Sequence, residues 1–472
     1  MAKSISVSVK MFQVGELGDC FLLTFKEAAK ESNVLIDCGS FRNSAKSKTR
    51  LTTIVKYINK QLGTKKLDVV VGTHQHNDHV SGFVHCEDLF TKRVSQVWLS
   101  WLDDPKDGDA KVIRKEHKNL VQSVRALYDN MNSPGMKATK EVLSDVLGFY
   151  SAAPNEDPEI PARGIEILKS IGEKEVKYLS PGSTMPLPGL STDSVKVYVL
   201  GPPRNQQLLF DMTAKKTETY DPHLAYANVN AARFLSALNN ADKSSERDRS
   251  EEQFPFNQKF KKQEKANDAK LAADPEMVQL YRNPKEAWRT IDNDWLQTAT
   301  RLGLYLDTYT NNTSLVLAFE LVKSGKVLLF VGDAQTGNWL SWNQIEWQGM
   351  QQTFLVDDLL KNTVLYKVGH HASHNATLVK GLETMEHEEL VAMIPVDDTD
   401  PNITKKNGWK MPASNLYKRL KEKTQYRVLR MDQGYADECD PIEGNDQSKW
   451  NALPTKPKID TKNFFVEYTV KG

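Results

Sequence analysis

The sequence predicts an α/β fold in which two strand-rich halves pack face to face with helices outside. Three observations lead there. Short β-branched apolar runs of strand type occupy both ends of the 472-residue chain. Stretches with helical spacing fall between and around them. Loops rich in His and Asp follow strand runs from both ends, and face-to-face packing would bring those loops together.

Residues 4–100 read as strand, strand, strand, helix, strand, loop, strand. The N-terminal residues alternate polar and apolar, as a half-buried strand does. The helix spans 51–62, with Leu51, Ile54, Val55, Ile58 and Leu62 at helical spacing. The run 67–72 is a buried strand ended by Gly72, and 96–100 is a further strand. Residues 105–175 form a helical insertion, with Val121, Val124, Leu127 and Tyr128 on one face and breaks at Pro134, Pro154, Pro158 and Pro161. Strands resume at 176–179 and 195–200, the second stopped by Gly201-Pro202-Pro203. A second insertion, 204–304, reads as helix at 224–238 and 288–304 around a charged stretch, 241–275, almost without aliphatics. From Ser314 the chain reads strand, strand, loop, strand to Val368, then a strand at 389–395, a helix at 414–423 and closing strands at 426–431 and 463–470. The core is therefore 1–104, 176–203 and 305–472, one domain interrupted by two largely helical insertions.

Formal net charge is +1, from 62 basic and 61 acidic residues. That balance argues against a surface coated for nucleic acid and leaves room only for a local basic groove. Cys20, Cys38, Cys86 and Cys439 show no C-x-x-C spacing and read as free thiols in a reducing compartment. No apolar signal segment opens the chain and no run reaches membrane-span length, so the expectation is a cytoplasmic protein.

The chemistry is concentrated in Thr73-His74-Gln75-His76-Asn77-Asp78-His79. Four side chains of metal-ligand type lie within six positions, in a chain with only 10 His. His and Asp suit a borderline divalent ion, zinc first, with manganese or iron as alternatives. A polar loop that happens to be rich in His is the competing reading. Downstream, Asp333 ends the apolar run 327–332, and His370 and His371 follow the apolar run 364–369. Asp333 reads either as a turn residue or as a ligand supplying the charge compensation a divalent site needs.

These motifs resemble the signature of the metallo-β-lactamase superfamily, whose members are mostly hydrolases with a four-layer αββα sandwich. Its other landmarks follow in order: 14–19 before the apolar 20–23, then 34–39 ending in Asp37 and Gly39, then Gly332-Asp333, then 365–374. The combination V-G-x-x-G-D, N-x-S-L-V at 312–316, G-D-A and H-H-A-S resembles one branch. That branch includes the metallo-hydrolase domain of bacterial DNA-uptake channel proteins and the phosphorylcholine esterases. The resemblance implies that His74 and His76 hold one ion, that Asp78 and His79 hold a second, and that Asp333 bridges both. One of His370 and His371 completes the second site; the sequence does not say which. It also implies one or two divalent ions. The histidine that many members place between the first motif and the bridging Asp has only His85, His117 and His223 as candidates.

Asp37 is expected to fix the histidine loop by accepting hydrogen bonds. Asp19 either reaches the site or is a β-turn residue. The expected catalytic residues are Asp78, Asp333 and His371. His371, if not a ligand, would contact a developing oxyanion or protonate a leaving group, with Ser373 and His374 as weaker candidates. Asn375 and Thr377 read as caps of the next helix. A pair of divalent ions brings a bridging water to a pKa of about 7, so the expected reaction is hydrolysis. The branch resemblance favours a phosphodiester in nucleic acid, a nucleotide or a headgroup. The alternatives are a hydrolase of a lactone, thioester or β-lactam, and a non-catalytic metal-binding sensor. Lys111, Arg114, Lys115 and Lys118, or Lys259, Lys261, Lys262 and Lys265, could line a phosphate path; the competing reading is a solvated face. Trp98, Trp101, Trp339, Trp342 and Trp347 are candidates for stacking on bases, and equally for the core.

Overall fold

The computed structural model describes residues 5–131, 137–151, 160–209, 294–347, 356–405, 408–435 and 448–472. The expected features at 224–238 and 241–275, with His223, Lys259, Lys261, Lys262, Lys265 and Cys439, lie outside the described residues.

Two eight-stranded sheets form the centre. The first contains β1 (Ile5–Phe12), β2 (Cys20–Glu27), β3 (Lys30–Cys38), β4 (Leu67–Val71), β5 (Val94–Ser100), β6 (Gly172–Leu179), β15 (Lys458–Asp460) and β16 (Phe465–Lys471). Its order is β15-β16-β1-β2-β3-β4-β5-β6. The second contains β7 (Thr184–Pro186), β8 (Val195–Gly201), β9 (Val316–Leu321), β10 (Lys326–Phe330), β11 (Thr363–Lys367), β12 (Val391–Ile394), β13 (Val428–Arg430) and β14 (Gly434–Tyr435), ordered β14 to β7. In each sheet a parallel half joins an antiparallel half. β3, β4, β5 and β6 are parallel neighbours, as are β10, β11, β12 and β13.

Alternation decides which side chains meet between the sheets. In β9, Leu317, Phe319 and Leu321 enter the inter-sheet core, while Val316 and Ala318 join the cluster on the other face. Phe319 and Phe330 of the second sheet meet Phe25 and Phe21 of the first, with ring centroids 5.6 and 5.7 Å apart. Outside the first sheet lie the Ala45–Leu62 and Ile160–Ile171 helices, whose apolar faces join the inter-sheet core residues in one cluster. Outside the second lies the Ser414–Lys423 helix, seated through Leu416 and Leu420. The result is four layers, αββα.

Most elements fall where the sequence places them. The predicted helix 51–62 runs one turn and more further back, Ala45–Leu62, because Ser44 caps it by accepting from the Ser47 backbone N–H. The stretch after His76 is a helix rather than a loop, Asn77–His85, so Asp78 and His79 lie in its first turn. The described parts of the two insertions share one apolar cluster: Leu120 and Val124 of Gly108–Asn130, Leu143 and Leu147 of Lys137–Gly148, and Ala299 and Leu302 of Asp294–Asn312.

Candidate metal centre

The ligand-type residues follow the C-terminal ends of parallel strands, where strand ends open onto loops that a rigid sheet positions. Asp37 is the penultimate residue of β3, His74 and His76 follow β4, Asp333 follows β10, and His370 and His371 follow β11. Backbone-to-backbone packing sets the loops together. A Cβ on Gly39 would lie 2.4 Å from the carbonyl carbon of Asp78, so only glycine lets the β3 loop approach the start of Asn77–His85. Gly332, at φ +54°, turns the chain out of β10 so that Asp333 points inward. Three consecutive residues without that freedom, His370, Ala372 and His371 between them, also hold positive φ, at 41°, 62° and 51°. Such a run persists only where its surroundings over-determine it. It turns the two neighbouring imidazoles to different partners.

His371 faces the carboxylates. Its Nε2 lies 3.0 Å from Asp78 Oδ2 and 3.5 Å from Asp333 Oδ2. His79 Nε2 lies 3.6 Å from the same Asp78 oxygen and 3.2 Å from the same Asp333 oxygen. These are four of the six edges of a tetrahedron, whose edge would be about 3.3 Å for ligand bonds of about 2.0–2.1 Å. Within the protein, His79 Nε2 and Asp333 Oδ2 are buried without a hydrogen-bond partner. Both histidines are held from behind: His79 Nδ1 donates to Asp37 Oδ2 at 2.8 Å, and His371 Nδ1 to the Pro395 carbonyl at 2.7 Å. It is therefore Nε2 of each ring that points into the cluster, the atom a cation would take in place of a proton.

Asp37 also accepts from the backbone N–H and the hydroxyl of Thr73, at 2.8 and 2.7 Å. Asp19 is no mere turn residue. It is buried, its Oδ2 is 2.5 Å from Lys367 Nζ, and its ligand-type atom lies within 4.8 Å of those of His79, Asp333 and His371. Lys367 bonds Asp333 Oδ1 at 3.2 Å and the Gly332 carbonyl at 2.7 Å. Burial opposes its charge, but Asp19 and Asp333 outweigh that and hold the ammonium charged. Burial likewise disfavours the charged forms of His79 and His371, yet the surrounding carboxylates raise both. Four buried carboxyl groups, Asp19, Asp37, Asp78 and Asp333, thus face one ammonium and two imidazoles whose protonation they favour. That imbalance is costly in a protein interior and calls for further positive charge. Divalent cations fit both the charge and the spacing.

His74 and His76 form an adjoining pair, with His74 Nε2 3.1 Å from His76 Nδ1. Burial pushes His74 well below the usual histidine range and His76 down to about 3, so both are neutral. The His79 ring packs against His74, centroids 4.1 Å apart, while its Nε2 faces the carboxylates; the other two described candidates are engaged elsewhere. His85 bonds Asn43 at 2.6 Å, and His117 bonds Thr310 at 2.8 Å.

His370 turns away from the carboxylates. Its Nδ1 is 2.9 Å from Gln335 Nε2, and its Nε2 is 3.5 Å from Asn311 Nδ2. Asn375 donates to Gln335 at 2.6 Å, and Asn311 to Asp307 at 3.2 Å. Ser373 meets His374, 3.4 Å between Oγ and Nδ1, and does not reach the carboxylate cluster. The expected capping roles are not those observed. Asn375 is taken by Gln335, Thr377 bonds the Tyr366 hydroxyl at 2.7 Å, and Leu378 stands at the next helix's N-cap.

The proposed tryptophan platforms do not form. Trp98, Trp101, Trp339 and Trp342 are buried, and Trp347 packs edge-on against Tyr198. Of the basic group on Gly108–Asn130, Lys111, Lys115 and Lys118 are exposed, while Arg114 holds the Leu102 and Asp104 carbonyls.

Residues 15–95 match the metallo-beta-lactamase superfamily. That match covers Asp19, Asp37 and the whole H-x-H-x-D-H motif, and the four-layer arrangement is consistent with the αββα sandwich of that superfamily. Asp333, His370 and His371 lie beyond the matched segment, and the fold returns them to it. No curated protein matches the chain. The residues that sequence reasoning missed are Lys367, Tyr150, Asp307, Asn311 and Gln335. Only Lys367 carried a signal, as a lone charge inside the apolar run 364–368.

Proposed function

We propose that the protein is a metal-dependent hydrolase that cleaves phosphodiesters. The observation that carries the metal reading is the convergence of Asp78, His79, Asp333 and His371 with unpartnered, buried ligand atoms between them. In this reading His74 and His76 hold a first ion, Asp78, His79 and His371 a second, and Asp333 is shared. When bound, the ions supply Lewis acidity and an activated water. The substrate class rests on the resemblance of the G-D, N-x-S-L-V, G-D-A and H-H-A-S motifs to the phosphodiesterase-like branch.

The chain's own residues have distinct tasks. Asp37 and the Pro395 carbonyl orient the ligand histidines. Lys367 holds Asp333 by Oδ1, the oxygen not facing His79, and holds Asp19 by Oδ2. With Asp333 shared, the first ion has three protein ligands where the second has four, so substrate enters at the first. His370, with burial lowering it to about 4, stays neutral and sits beside the cluster without being consumed as a ligand. It takes over the substrate-contacting role first considered for His371.

The test is a panel on zinc- and manganese-loaded protein: bis(p-nitrophenyl) phosphate, a lactone and a chromogenic β-lactam. Diester turnover that is abolished by chelation and restored by metal is expected. His371→Ala should lose activity and one ion; His370→Ala should lose activity but keep its metal. Turnover confined to the lactone or β-lactam would replace the substrate class. Protein that takes up neither ion would remove the metal reading altogether.

A further inference from the structure

We propose that Tyr150, delivered by the first insertion, is a positioning residue that fixes His76 in the tautomer able to bind the first ion. The inference rests on the metal reading above, and Tyr150 and Thr310 lie outside the superfamily match.

The argument is a count of hydrogens. Three oxygens form a buried triangle: the Tyr150 hydroxyl lies 2.5 Å from Thr310 Oγ1 and 3.1 Å from the Leu306 carbonyl, and Thr310 Oγ1 lies 3.1 Å from that same carbonyl. Oxygens this close repel unless a hydrogen lies between them. Only the two hydroxyl hydrogens of Tyr150 and Thr310 can do so, because the carbonyl has none. His117 Nε2, 2.8 Å from Thr310, is neutral, burial lowering it to about 4. It can donate to Thr310 from outside the triangle, but it adds no hydrogen to the triangle itself. Sending the Tyr150 hydrogen to His76 would leave two of the three contacts without one.

His76 Nε2, 3.0 Å from the Tyr150 oxygen, must therefore supply its own hydrogen to that contact. A neutral imidazole protonated at Nε2 has a bare Nδ1. That atom faces His74 Nε2 at 3.1 Å. His74 is set the same way from its other side. Its Nδ1 lies 3.1 Å from Thr73 Oγ1 and 3.3 Å from Ser314 Oγ; the nearer hydroxyl has given its hydrogen to Asp37 and can only accept, which favours His74 donating from Nδ1 and leaves Nε2 bare. Two lone pairs facing each other need a cation between them. Tyr150, from the first insertion, and Thr310, from the Asp294–Asn312 helix, thus prepare half of the first ion's site, which neither His85 nor His117 completes.

The test is cobalt(II) and zinc titration of full-length Tyr150→Phe, which keeps the ring packed and removes only the hydroxyl. The expected result is one ion bound about ten- to a hundredfold more weakly, the usual effect of removing a partner of a ligand histidine, with the other ion unchanged. The cobalt absorption spectrum should change for that ion alone. Thr310→Val, which removes one of the triangle's hydrogens, should give a smaller shift in the same ion. Unchanged affinity for both ions in Tyr150→Phe overturns the proposal while leaving the metal reading intact. Equal weakening of both ions overturns it in favour of a general structural role. Wild-type protein that binds no ion overturns both.

Discussion

At the scale of single residues, the site is governed by which polar atoms are paired and which are not. Asp307 shows the consequence most simply. Burial raises its carboxyl to about 7, the Asp78 and Asp333 carboxylates add to the rise, and a hydrogen bond from Gln335 opposes it. Its Oδ1 is buried without a partner. In the unfolded chain the group titrates near the ordinary Asp value. Between about pH 4 and pH 7 the folded state therefore holds a proton that the unfolded state has lost, and stability falls as pH rises through that window. Asp307→Asn removes the titration. In chelator-treated protein the variant should match wild type near pH 4 and exceed it above pH 7, by up to about 4 kcal/mol at roughly 1.4 kcal/mol per pH unit. Urea unfolding at several pH values reads this directly; parallel wild-type and variant curves would refute it. The ligand residues were legible in the sequence because His and Asp at fixed short spacing are rare by chance. Tyr150, Asp307 and Gln335 were not, because ordinary residues acquire a role here only from long-range contacts, such as the one between Tyr150 and Thr310, 160 positions apart.

At the scale of elements, strands and helices were largely readable because their periodicity is local. Boundaries moved where a cap decided them, as Ser44 does. The start of the helix Asn77–His85 was read as loop because its first turn is filled by Asn, Asp and His, which have modest helix propensity and no apolar stripe. Its position is instead set by close packing. Gly39 and Gly82 both allow backbone contact between this helix and the β3 loop, where a Cβ would come within 2.4 Å of Asp78 and 2.6 Å of the Cys38 carbonyl. Gly39→Ala should therefore displace the turn carrying Asp78 and His79. The expected cost is at least the roughly 1–3 kcal/mol of ordinary overpacking, together with weaker binding of the second ion. Calorimetric unfolding with and without zinc separates the two effects. Wild-type stability and zinc affinity in Gly39→Ala would show that the loop can yield.

At the scale of the whole molecule, the two ends of the described chain lie side by side. β1 pairs with β16 over Ser6–Phe12, and Ser8 and Lys10 both bond Glu467, partners as much as 459 positions apart. The metal centre has the same long reach, since His371 Nε2 meets Asp78 across 293 positions. The consequence is one of biosynthetic timing. A chain that has just emitted His79 carries the whole H-x-H-x-D-H motif with no Asp333 or His371 to close it. At about 5–20 residues per second, the motif waits on the order of half a minute before its counterparts exist. During that time β1 lacks one of its two neighbours. Ions captured by the nascent chain can be held only by the first motif, so tight metal uptake should belong to the released protein. Ribosome-bound chains arrested after Val331 should exchange radioactive zinc rapidly, and chains arrested beyond the C-terminal strand should retain it. Slow exchange by the shorter chains would mean that the first motif alone holds its metal.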